Sequence, residues 1–225
     1  MITFVTVVYN TKDLLEKSYC SLKKFYPDIN HLIIDGSDMT DECYWYADGL
    51  DERFFHAHRN IGHGSGMHLA MELVDTKYVC FYDSDIEMTK PCIEEMLSYF
   101  NDDTYGVGKI VRRTAVGLFK PCLDEGGVAI SVNLLHPHFC IINKDLYKNY
   151  APIVSNGSPF IMIWADMFRK KLDKKIIIDF PVEDYIRHLK DGTRSLIPND
   201  WHRLQGHIKW EPSWDAYTKR KDSNG

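Results

Sequence analysis

The amino-acid sequence predicts an α/β fold: a mostly parallel sheet flanked by helices, with a small antiparallel extension. Three observations predict it. Short apolar, β-branched runs alternate with helical stretches through residues 1–100, a pattern that implies parallel β-α-β units with right-handed crossovers. The polar segments fall where these runs end, and in such sheets ligands sit outside the carboxyl ends of the strands. After Asp85 the alternation gives way to strands separated by loops.

The run 2–8 is continuously apolar apart from threonines, as suits a strand buried on both faces. Asn10 and Thr11 can cap a helix over 12–25, with Leu14, Leu15, Tyr19 and Leu22 on its apolar side. A strand over 31–34 ends in the polar turn Asp35-Gly36-Ser37-Asp38, and a weaker helix covers 41–47. Residues 54–58 read as a third strand, 64–74 as a helix, and 77–82 as a fourth strand that stops at Asp83. Beyond it, 91–100 is helical, and 105–112, 127–132 and 139–142 read as strands. Helices over 145–150 and 160–172 and a strand over 175–179 complete the pattern. From Pro198 on, the chain is rich in Trp, His and Pro and has no clear period.

Composition narrows the class. A chain of 225 residues, 44% hydrophobic and 26% charged, can bury one substantial core. The net charge of −5 gives no global argument for nucleic acid or anionic membrane, and the basic clusters at 109–113, 169–175 and 219–221 read first as solvated faces. The six cysteines form no C-x-x-C pair and read as reduced thiols, so a cytoplasmic protein is expected. The first strand starts at once, no signal segment is expected, and no apolar run approaches the roughly 20 residues of a membrane span.

Asp83-Ser84-Asp85 carries the most chemistry. Two carboxylates at the end of a buried strand are costly to desolvate unpaired. A divalent cation such as Mn²⁺ or Mg²⁺ would pair them and could bridge to substrate phosphates. A capping turn is the simpler alternative. Against it stand Tyr9-Asn10 and Asp35-Gly36-Ser37, at two other strand ends, which converge with the acidic pair on one nucleotide-sized site.

The succession Val7-Val8-Tyr9-Asn10, Ile33-Ile34-Asp35-Gly36-Ser37, Arg59-Asn60-Ile61-Gly62 and Phe81-Tyr82-Asp83-Ser84-Asp85 resembles family 2 glycosyltransferases of the GT-A fold. The resemblance implies a Rossmann-like sheet whose residues 1–100 bind a nucleotide-sugar, with 101–225 forming the acceptor half and tail of one continuous domain. It implies transfer of a sugar from a nucleotide diphosphate donor, most simply a UDP-sugar, with inversion. Asp85 would ligate the metal directly, and Asp83 would reach the ribose, or the metal through water. Asp35 would accept the N–H of a uracil-type base, and Tyr9 would stack on it. Thr6, Asn10, Asn60, Gly62 and Ser84 join the donor-side candidates.

In the acceptor half, the family's acidic pair is reduced to Asp166, within Phe160 to Phe168, as the general base. His188 is the candidate third metal ligand, with His202 and His207 as rivals. His136 and His138 flank Pro137 and receive no role. The acceptor expected from the family is a surface glycan or its precursor, and hydroxylated phage DNA, tracked by the basic clusters, is the alternative. A nucleotidyltransferase would favour a glycine-rich basic loop after the first strand, where Tyr9-Asn10-Thr11-Lys12-Asp13 stands instead. The shortened acidic pair also fits an inactive sugar-nucleotide-binding partner subunit.

Overall fold

A computed structural model describes residues 1–114, 131–153, 159–172 and 176–189. The predicted strand 127–132, except its end, and the stretch from residue 190 on, with His202 and His207, lie outside these residues. The first half follows the predicted alternation: β1 (Ile2–Val8), α1 (Lys12–Phe25), β2 (Asn30–Asp35), α2 (Glu42–Asp48), β3 (Arg53–His56), α3 (His63–Leu73) and β4 (Tyr78–Tyr82). Then come β5 (Ile86–Met88), α4 (Ile93–Ser98), β6 (Gly106–Thr114), β7 (Ser131–Asn143), α5 (Lys144–Tyr147), α6 (Ile161–Arg169), β8 (Ile177–Asp179) and β9 (Ile186–His188).

A seven-stranded sheet has the order β3-β2-β1-β4-β7-β6-β8. Only β7 runs against the rest, pairing antiparallel with β4 and β6, while the other neighbours are parallel. The central strands are buried on both faces because their side chains alternate between two cores. Val5, Val79 and Phe81 point to the face covered by α3 and α6, with Met67, Met71 and Trp164. Phe4, Cys80 and Tyr82 point to the other face, with Leu22 of α1 and Met96 of α4.

Two strands were not foreseen. β5 and β9 pair as a small antiparallel sheet, with Ile86 opposite His188, and each has only three residues, too few for a periodic signal. The strand predicted to start at 139 instead belongs to the thirteen-residue β7, which passes through Pro137. Proline has no N–H for the ladder, and the register shift between Gly108 and Ile110 of β6 falls opposite this stretch.

This topology positions the site. From β1 the chain steps one way to β2 and β3, and β4 lies on β1's other side, so the strand order reverses between β1 and β4. Tyr9-Asn10 and Asp83-Ser84-Asp85 flank that point. A separate cleft of about 650 Å³, lined by Tyr19, Lys23, His31 and Glu52 among others, opens at the amino ends of β2 and β3, away from this edge.

Candidate active site

The loops after β1 and β2 lock together. Asn10, with φ of 50°, donates its backbone N–H to Ser37 Oγ at 2.8 Å and accepts the Asp38 N–H on its side-chain oxygen at 3.2 Å. Gly36 N–H donates to Val8 O at 3.0 Å. Tyr9 is partly buried beside this turn, and burial, then Asp38 and Asp41, push its phenol pKa up. The loop before α3 crosses the same edge. Gly62, with φ of 77°, donates to Asn60 Oδ1 at 2.9 Å, and a Cβ on Gly36 would stand 2.9 Å from Arg59 O. A side chain at Gly36 would push this loop away from the β2 end, and one at Gly62 would be strained by its positive φ.

Asp83 and Asp85 are half-buried and Ser84 between them is buried. The pair is held from three sides: Asp83 N–H donates to His138 O at 2.9 Å, Ser18 Oγ donates to Asp83 O at 3.1 Å, and Leu189 N–H donates to Asp85 O at 2.8 Å. His188, exposed on β9, therefore stands beside the acidic pair. The sequence reading missed His63, the first residue of α3, whose Nε2 lies 3.1 Å from Asp83 Oδ1. It also gave no role to His136 and His138. Their spacing of two on one strand puts both rings on one face, a signal that was available. Those rings contact each other through their Nδ1 atoms, and the His138 and His188 ring centroids lie 4.9 Å apart.

Four imidazoles thus surround two carboxylates. Burial raises the Asp83 pKa, but the opposing pull of His63, with His138 and His136 behind it, leaves it lowered. Asp85 is raised, first by burial and then by Asp83, with His188 and His63 only partly compensating. Burial opposes the charge on His63, yet Asp83 and Asp85 leave its pKa raised. His138 is pushed down to about 3 by burial and then by His136. Asp85 is consequently the carboxylate whose charge lacks compensation. A cation shared with Asp83 and His188 answers that deficit, and the mixed oxygen and nitrogen donor set fits a divalent transition metal. Among the described residues, no three acidic, His or Cys side chains are grouped closely enough to hold a metal ion by themselves.

Three expectations need correction. Thr6 is 1% exposed, and its hydroxyl donates to Tyr82 O and accepts from His31 Nε2, both at 2.9 Å, so it braces β1, β2 and β4 and is closed to a donor. Asp35 has no exposed side-chain surface. Its Oδ1 accepts the Ser37 N–H at 3.0 Å and its Oδ2 faces His56 Nδ1 at 2.9 Å, so a base does not meet this carboxylate directly. Asp166 lies at the wrong end of α6. That helix starts beside Phe81, where Phe160 packs, and runs toward Tyr105, which hydrogen-bonds Asn143 at the amino end of β4. Asp166, six residues on or about 9 Å further along, pairs with Lys170 at 3.1 Å, and Lys170 in turn reaches Asn149 O. It is a structural ion pair, not the base at the acidic pair.

The sequence profile of the family described as glycosyl transferase family 2 matches residues 3–177. A search of curated sequences finds no match. Among solved structures, the mannosyltransferase PcManGT from Pyrobaculum calidifontis, in complex with GDP-Man and Mn²⁺, is 11% identical with a TM-score of 0.55, over 80% of this chain and 54% of that one. TarS 1-349 from S. aureus, in complex with UDP-GlcNAc, is 15% identical with a TM-score of 0.54, over 82% of this chain and 57% of that one. Glucosyl-3-phosphoglycerate synthase from Mycobacterium tuberculosis, with Mn²⁺, UDP and glucosyl-3-phosphoglycerate, is 14% identical with a TM-score of 0.56, over 98% and 79%. This chain therefore spans little more than half the length of the first two. At these identities the likeness is one of fold, the GT-A fold. No helix among the described residues is long and apolar enough to cross a membrane.

Proposed function

The chain belongs to glycosyl transferase family 2, and from that premise we propose that it transfers a sugar from a nucleoside diphosphate donor, a UDP-sugar in the first instance, to an acceptor hydroxyl. The observation that carries this reading is the acidic pair at the point where strand order reverses, ringed by His63, His138 and His188. The solved structures named above hold UDP- or GDP-linked ligands, two of them with Mn²⁺, which supports the same donor chemistry.

Asp83, Asp85 and His188 are the side chains that would hold a divalent cation, and the imidazole favours Mn²⁺ over Mg²⁺. Such a cation supplies Lewis-acid stabilisation of the charge that builds on the departing diphosphate. The protein's own contribution is positioning. His63 sits against Asp83 and, when protonated, places a positive N–H where a phosphate oxygen would arrive. Gly62 and Asn60 hold the loop before α3 close to the edge, so its backbone can approach the diphosphate. Tyr9 offers a ring face beside the locked 35–38 turn. We propose a glycan or its precursor as the acceptor.

The test is a panel of UDP- and GDP-sugars with Mn²⁺, read by release of the nucleoside diphosphate in the presence of glycan acceptors. Release from at least one donor, with a loss of 100-fold or more in Asp85→Asn, supports the reading. Release from none, together with unchanged UDP affinity in Asp85→Asn, overturns it.

A further inference from the structure

A single displacement at a sugar's anomeric carbon needs a group to take the acceptor's proton. Asp166 stands at the far end of α6, paired with Lys170, and leaves that role open. The strand order limits where the group can be. On the donor reading above, the diphosphate is held at the end of β4 and the nucleotide lies toward β1 and β2. An acceptor attacking in line then arrives from the other side of β4, where β7 is the neighbouring strand. β7 runs antiparallel to β4, and His138 O accepts the N–H of Asp83 at 2.9 Å. His136, two residues back along β7, therefore overhangs the carboxyl end of β4, about 7 Å beyond that bond.

His136 is half-buried, whereas His138 is 4% exposed. Their rings meet through the two Nδ1 atoms, with centroids 4.2 Å apart, and the His138 ring lies 4.9 Å from that of His188. These contacts keep His136 at most about 9 Å from His188, across a gap of sugar-ring size. Inverting glycosidases set their two working groups roughly 6.5–9.5 Å apart for the same geometric need. Two bare Nδ1 lone pairs repel, so one proton lies between the rings. Burial disfavours charge on His138. A further proton therefore goes to His136: its Nδ1–H is donated to the neutral His138, and Nε2 takes the new proton. The remaining imidazoles of the cluster are committed elsewhere, His63 to Asp83 and His188 to the cation site. Lys109, on the neighbouring β6, pairs with Glu183 at 3.7 Å.

We propose that His136, on β7, is the catalytic base of the transfer, in place of a carboxylate on α6. The acceptor oxygen bonds to the anomeric carbon as the bond from that carbon to the diphosphate oxygen breaks. The electron pair of the broken bond leaves with the nucleoside diphosphate. The acceptor's proton passes to His136 Nε2 and from there to water. This inference rests on the donor reading above and adds the residue that removes the proton.

The test uses UDP-glucose, UDP-galactose, UDP-GlcNAc and GDP-mannose with Mn²⁺ and two small acceptors. Water must lose a proton to react, and azide has none to lose. Release of the nucleoside diphosphate is followed in the wild type, His136→Gln and His136→Asn, and affinity for UDP or GDP by calorimetry reports whether each variant keeps the donor site. The variants should bind the nucleotide within about 2-fold of wild type and release it to water at least 100-fold more slowly. With azide, variants and wild type should agree within about 5-fold, and mass spectrometry should find the glycosyl azide. Release to water within about 3-fold of wild type overturns the proposal. So does a 10-fold loss of nucleotide affinity in both variants, or a deficit that azide leaves in place. Nucleotide binding by the wild type without release to either acceptor overturns this inference alone. If the wild type binds neither UDP nor GDP with Mn²⁺, the donor reading falls with it.

Discussion

Thr6 and His31 show how a polar residue beside a site can belong wholly to the scaffold. Thr6 Oγ1 donates to Tyr82 O and accepts from His31 Nε2, tying the three central strands below the acidic pair. Thr6→Val leaves two buried groups unpaired and should cost about 1–3 kcal/mol in urea unfolding, with UDP affinity within about 2-fold of wild type. His31 is held neutral: burial first, then Lys23, lowers its pKa from 6.5 to about 3. The unfolded chain therefore binds a proton that the folded chain refuses between those values. The stability His31 contributes is present above pH 6.5 and is lost as pH falls toward 3. Thermal midpoints should drop on going from about pH 7 to about pH 4.5. The drop should be smaller in His31→Leu, though not zero, because His138 is depressed to about 3 by burial and His136. At this scale the sequence singled out the acidic pair and His188, which the structure sets side by side. It did not disclose which hydroxyls and carboxylates are consumed internally. Thr6, Asp35 and Asp166 are chemically suited to a site, and only their partners, Tyr82, His56 and Lys170, disqualify them.

At the scale of elements, two glycines govern how closely the pieces approach. A Cβ on Gly66 would lie 2.5 Å from Val7 Cγ1 and 3.0 Å from its Cγ2, and a β-branched side chain is stiff at χ1, so glycine at 66 lets α3 lie this close on β1. Gly66→Ala should destabilise by about 1–3 kcal/mol, read as a lower urea midpoint. A Cβ on Gly36 would meet backbone, Arg59 O at 2.9 Å and Asn60 Cα at 3.3 Å. Gly36→Ala should push the 59–62 loop outward and weaken Mn²⁺-dependent UDP binding at least 10-fold by calorimetry, with a smaller effect on stability than Gly66→Ala. The elements themselves were mostly legible, because long runs such as β1 and α1 carry a full period. β5 and β9 carry three residues each and gain their pairing only from each other. The sequence reading left 133–138 out of any strand, whereas β7 runs on through Pro137, which lacks a ladder N–H, with irregular pairing to β6.

For the whole molecule, the sheet order decides the function more than any single strand does. It brings β4, β1, β2 and β3 side by side, so that the acidic pair, the loop before α3 and the ring cluster of Tyr44, Phe54, His56 and His58 line one edge. Ligand binding should therefore stabilise the fold as a unit. Mn²⁺ with UDP at about 100 times its dissociation constant should add about 2.7 kcal/mol, visible as a raised thermal midpoint. EDTA or Asp85→Asn should remove most of that gain. If the midpoint rises equally without metal, the acidic pair is not where the diphosphate is held.

The sequence by itself determined the fold class, the alternation of strands and helices, and the acidic pair, since periodicity and a costly pair of adjacent carboxylates are local properties. It could not determine which polar residues face the donor. Histidines 56, 63, 136 and 138 lie on three elements, β3, α3 and β7, and apart from the spacing of two that puts His136 and His138 on one face of β7, none carries a local signature of its role. Only the tertiary structure gathers three of them around Asp83 and seals the fourth against Asp35. The physical reason is that a side chain's availability depends on partners distant in sequence, and those partners are set by the strand order.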